Sequence, residues 1–97
     1  MTKAVVNGVT VASSDDTIVV EGNHYFPPGS LHKEYFEPTE THTTCPWKGR
    51  ASYYTVKVGD AEPLVDAAWY YPAPKSRAAE IENYVAFYRN SVEIVDR

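Results

Sequence analysis

The sequence contains one cysteine in 97 residues, and that scarcity excludes a good deal. A lone thiol cannot close an internal disulfide or supply the paired ligands of a cysteine-rich zinc site. Nor does any apolar run approach the ~20 residues of a membrane-spanning helix. The opening "MTKAVVNG" has only a short apolar run before Asn7-Gly8, too little for the core of a secretory signal. Positive charge is also in short supply: nine Lys and Arg against thirteen Asp and Glu give a formal net charge of −4. Residues 1–41 hold that whole excess, with Lys3 and Lys33 set against Asp15, Asp16, Glu21, Glu34, Glu37 and Glu40. No basic stripe can follow a phosphate backbone, so a nucleic-acid polymer is not an expected partner. His24, His32 and His42 are widely spaced, which gives no ligand pattern for a metal and no reason to expect a cofactor. The expectation is a cytoplasmic protein without a membrane partner.

Aromatic rings are plentiful. They make up 13% of the chain, and tyrosines outnumber phenylalanines eight to three. A tyrosine has an apolar ring and a polar tip, so many of these rings belong at a core boundary or around a cavity. Two cores would each be too small for a chain of this length, so residues 1–97 are expected to form a single domain. "AVVNGVTVA" reads as two β-branched runs around Asn7-Gly8, the pair best suited to a two-residue hairpin turn. "TIVVEG" reads as a strand and "NHYFPPGS" as a turn, with "SLHKEYF" as a helical turn capped by Ser30.

"RASYYTVKVG" alternates, which predicts a half-buried strand with Val56 and Val58 inward. "LVDAAWYY" predicts another, with Asp66, Ala68 and Tyr70 on one face and Ala67, Trp69 and Tyr71 on the other. A short helix around 76–81, a strand at 84–88 and a last strand in "VEIVD" complete six or seven strands. Such a pattern implies a mainly-β meander or small barrel.

The ordered motifs "VVEGNHYFPP", "TTCPWKGRASYY", "DAAWYYPAP" and "YVAFY", following Asn7-Gly8, resemble the domain-of-unknown-function family 427 across nearly the whole chain. That family also bears a nucleotidyltransferase-like label. The resemblance implies a small β-tent of the Mss4-like superfamily: two short antiparallel sheets meeting at an angle, with one or two short helical turns. Relatives in that wider fold often clamp zinc with two Cys-x-x-Cys pairs, and Cys45 alone cannot build such a site. Nucleotidyl transfer calls for clustered carboxylates around magnesium. Glu21 and Asp66 are the only acids inside the motifs, and each stands alone in sequence.

Cys45 is either a nucleophile or redox thiol, activated by a nearby cation, or a buried structural thiol. Trp47 and Lys48 occupy the corner between Pro46 and Gly49; Trp47 is a cage wall or a core plug, Lys48 a ligand contact or a solvated charge. Glu21 ends an apolar run and is either a general base or ligand anchor, or the partner of Lys48 or Arg50. The favoured expectation is a domain that holds a small polar-aromatic ligand between its sheets. Tyr25, Trp47, Tyr54, Trp69 and Tyr71 would form the wall, and Glu21, Cys45, Lys48 and Asp66 the polar or catalytic contacts. One alternative is an enzyme, by nucleotidyl transfer or Cys45-dependent thiol chemistry. A further alternative is a homodimeric interaction module pairing through an open strand edge.

Overall fold

Asn7 and Gly8 take positive φ values of 50° and 78°, and the backbone reverses there as the sequence predicts. This turn joins β1 (Thr2–Val6) to β2 (Val9–Ser14). The computed structural model describes residues 1–97. A second turn of the same kind follows, at Glu21 (φ 54°) and Gly22 (φ 80°), and connects β3 (Ile18–Val20) to β4 (Asn23–Tyr25). Residues 23–25 are therefore a strand rather than the start of the expected turn. A glutamate in the left-handed region is disfavoured by its Cβ, and such backbone outliers collect at functional sites.

The longest sheet contains β5 (Phe36–Cys45), β6 (Gly49–Val56), β7 (Leu64–Tyr70) and β8 (Val85–Phe87), antiparallel in that order. The sequence reading overlooked β5 because its residues show no apolar alternation and most are exposed. It is an edge strand. Pro38 and a register shift between Pro38 and His42 blunt the open side, as edge strands commonly require. A third sheet sets β1 between β2 and β9 (Glu93–Asp96). The fold is thus mainly β, as expected; it has three small antiparallel sheets, where a tent of two was expected, and no barrel.

The helical segments are short 3-10 turns at Pro28–Ser30, Lys33–Tyr35 and Ser76–Ile81. Ser30 ends the first of these rather than capping a helix, and its hydroxyl donates to the Pro27 carbonyl. No helix is long and apolar enough to cross a membrane.

The four-stranded sheet has core on both faces. On one side Phe26, Val56, Ala68, Val85 and Phe87 pack with Val6, Val11, Ala12 and Val92 from the region of the three-stranded sheet. On the other, Tyr25, Ala51, Tyr53, Tyr71, Ala78, Ile81 and Ala86 form a second cluster. β6 is therefore buried on both sides, where the alternation had suggested one. The pairing of β6 with β7 slips beyond Tyr54↔Ala68, and Asp66 takes φ 53° at the irregularity. This bulge ends strict alternation, so Ala67 and Ala68 join the same cluster and Asp66 no longer follows the face of Ala68 and Tyr70. The β3–β4 hairpin is fastened to β8 just beyond Tyr25, where Phe26 and Val85 exchange backbone hydrogen bonds of 2.7 and 2.9 Å. That link brings Glu21 and Tyr25 to the sheet.

Candidate functional site

Cys45 pairs with Gly49 across the close of the β5–β6 hairpin, leaving Pro46, Trp47 and Lys48 as its corner. Gly49 is left-handed at φ 114°, and a Cβ there would stand 3.5 Å from the backbone of residues 73–75. That close approach lets the Lys75 amide donate to the Lys48 carbonyl at 2.9 Å and the Lys75 ammonium to the Pro46 carbonyl at 2.7 Å. The corner is held from outside by a loop distant in sequence.

Inside it, Lys48 is only 7% exposed, and its Nζ donates to Glu21 Oε1. The same Nζ lies 4.9 Å from the Trp47 ring centre and 5.9 Å from that of Tyr71, within range of cation–π attraction. Burial pulls the Lys48 pKa down, but the Glu21 hydrogen bond and the nearby Tyr25 and Cys45 outweigh it and leave it raised. The Lys48 hydrogen bond chiefly holds Glu21 below the usual carboxylate range. Burial pushes the Cys45 thiol up; the backbone amides of Lys48 and Trp47 and the Lys48 charge reverse this, leaving the thiol below its ordinary value. Cys45 remains partly exposed. A partly exposed thiol with stabilised anion is the form in which cysteine acts as a nucleophile.

Tyr25 and Trp69 complete the group. The Trp69 indole donates to the Tyr25 hydroxyl at 3.1 Å, with the rings edge-to-face at 6.2 Å. Burial raises the pKa of both Tyr25 and Tyr71. Glu21, Tyr25, Cys45, Trp47, Lys48, Trp69 and Tyr71 thus share one neighbourhood, drawn from the β3–β4 hairpin, the β5–β6 corner and the end of β7 with the residue that follows it.

Two candidates lie elsewhere. Tyr54 is on the opposite face of the sheet, stacked on Tyr70 at 4.7 Å, because it neighbours Tyr53 on a strand whose side chains alternate. Asp66 accepts hydroxyl hydrogen bonds from Thr39 at 2.8 Å and Thr41 at 2.7 Å, which tie it to the edge strand. No cleft opens among Tyr25, Trp47, Trp69 and Tyr71; the molecule's one cleft lies on the Tyr54 side. No three His, Cys, Asp or Glu side chains converge as a metal site would require.

Sequence reasoning missed Tyr53 and Tyr88. Their hydroxyls are 3.4 Å apart; that of Tyr53 is 2.9 Å from the Thr43 hydroxyl, and Tyr88 lies 4.6 Å from Trp69. The adjacent tyrosines of "SYY" were the available signal, since one of them had to face each side. The Tyr53 hydrogen bond, followed by burial, pushes Tyr88 up to about 12 from 10.0. The unfolded chain therefore ionises this tyrosine first, so its contribution to stability is complete below pH 10 and is lost as pH rises toward 12. Tyrosinate absorbance during an alkaline titration should lag behind free tyrosine, with denaturant midpoints falling through that window. A normal titration at constant stability would contradict the Tyr53–Tyr88 hydroxyl contact.

Residues 1–97 match the family described as Domain of unknown function (DUF427). The chain belongs to that family. Comparison with curated proteins yields no match. The DUF427 motifs apparent in the sequence are the segments that supply the corner, the Glu21 turn and the Trp69–Tyr71 stretch.

Proposed function

We propose that this DUF427 domain acts on a small polar-aromatic molecule through the Cys45 thiol. The observation that carries the reading is a partly exposed thiol whose pKa is lowered by the backbone amides of Lys48 and Trp47 and then by the Lys48 charge, at a corner where the Lys48 ammonium is buried against Glu21 and two rings. Burying an ammonium against a carboxylate that stays half-exposed is a poor device for stability, because the lysine's desolvation offsets much of the attraction. Groups whose ionisation is shifted by specific neighbours gather instead at functional sites. In this reading Cys45 is the nucleophile and Lys48 stabilises its anion. Glu21 positions Lys48, and Trp47 and Trp69 offer ring surface to the ligand. The absence of an enclosed hollow favours a substrate lying across the corner over one swallowed between the sheets.

Nucleotidyl transfer is less well supported: Glu21 is engaged with Lys48, and Asp66 is held by two threonines on the edge strand. A shared carboxylate site for magnesium is not formed by these two acids.

The test is the pH profile of Cys45 alkylation by iodoacetamide, followed by mass spectrometry on the intact chain, with Cys45→Ser as the blank. The rate should reach its plateau at lower pH than for an unperturbed cysteine. A profile matching free cysteine would remove the nucleophile from this site and leave Cys45 as a packing residue.

A further inference from the structure

The opposite face of the four-stranded sheet bears a cleft of about 400 Å³, within the range of small-molecule sites. Its floor draws on all four strands. Phe36 meets Tyr54 edge-on at 5.6 Å, Tyr54 stacks on Tyr70 at 4.7 Å with 21° between the planes, and Tyr70 pairs directly with Val85. Leu31 and Lys33, from the connection between β4 and β5, form one wall.

That connection is tied down on either side of Lys33. The His32 amide donates to the Val11 carbonyl at 2.8 Å, and the Tyr35 carbonyl accepts from the Lys57 amide at 2.9 Å. The walls are therefore set before any ligand arrives, which reduces the ordering cost of binding. Asn83 lines the cleft too, held at φ 63° with its amide donating to the Tyr71 carbonyl at 3.0 Å.

The lining chemistry selects an occupant. Leu31, Phe36, Tyr54 and Tyr70 are each only half-buried, so ring and aliphatic surface is left without protein packing. Among the lining residues Lys33 alone is charged, although the chain carries thirteen acids. An unopposed cation beside half-covered rings complements one negative charge attached to a flat apolar body. We infer that the cleft is a binding site for a small planar aromatic monocarboxylate, its ring against Phe36 and Tyr54 and its carboxylate paired with Lys33. This site is separate from the Cys45 corner and does not depend on the reading given for it.

The experiment is titration of the isotope-labelled chain with benzoate, indole-3-carboxylate and quinoline-2-carboxylate, each beside its neutral carboxamide, up to millimolar concentration. Backbone amide shifts report where each binds. At least one carboxylate should shift the Leu31, Lys33, Asn83 and Val85 amides saturably, and its carboxamide should bind about tenfold more weakly. The exposed substitution Lys33→Gln should abolish that preference while leaving the spectrum folded. Three results would overturn the inference: no saturable shifts from any of the acids, equal binding of acid and amide, or shifts confined to residues 45–48.

Discussion

Replacing Lys48 with methionine is expected to slow alkylation of Cys45 measurably at neutral pH while leaving the fold nearly as stable. The unbranched methionine fills the space of the lysine stem between Trp47 and Tyr71, so little packing is lost. Glu21 is left without its partner, but its side chain is 55% exposed and can be solvated. Removing a buried ammonium loses its attraction to the two rings but also removes its desolvation cost, so the two effects largely offset. The thiol has no such compensation. It loses the cation that helps hold its pKa down and moves toward the ordinary value, although the backbone amides of Lys48 and Trp47 remain.

Glu21→Gln supplies the opposing arm. The Glu21 charge raises the thiol pKa, so neutralising it should leave Cys45 as reactive as before or more so, provided Lys48 stays protonated. Opposite movements in the two variants would tie reactivity to charge. If both slow the reaction and both lower the melting temperature by several degrees, the cluster is a packing device and the thiol mechanism fails.

The largest loss of stability should come from Phe26→Ala. Phe26 is fully buried and meets Phe87 edge-to-face at 5.4 Å, at the point where the β3–β4 hairpin is fastened to β8. Removing its ring leaves a cavity in the cluster that joins the four-stranded sheet to the three-stranded one. The expected cost is about 3–5 kcal/mol, a large share of the total for a domain of this size. In a thermal melt this is roughly 15 °C or more. Because Phe26 follows Tyr25, the same change should loosen the turn that carries Glu21, and Lys48 would lose its anchor even below the melting temperature. Phe26→Leu retains most of the volume and should lose far less. A Phe26→Ala variant within about 1 kcal/mol of the parent would mean that this cluster does not hold the sheets together.

Local chemistry made some elements readable. Asn7-Gly8 could serve only as a tight turn, and Val56 lay on an alternating strand whose burial the structure bears out. Elements whose character depends on neighbours escaped. β5 has polar residues on both faces and is a strand only because β6 lies beside it. Residues 23–25 are too few to show a period and gain their strand character by pairing with 18–20. Asp66 was placed by alternation, and a bulge that alternation cannot foresee carried it to Thr39 and Thr41. Tyr54 was grouped with Trp69 on chemical likeness, whereas the sheet separates them by face.

By itself the sequence determined the class of the fold, the lone thiol, and the residue types available for a site. Those follow from composition, turn chemistry and short-range periodicity, which act between near neighbours in the chain. Only the tertiary structure decided that Glu21 would anchor Lys48, that Cys45 would sit under their influence, and that the open cleft would lie on the other side of the sheet. Each of these depends on contacts between segments tens of residues apart, and such contacts are fixed by packing the whole chain at once.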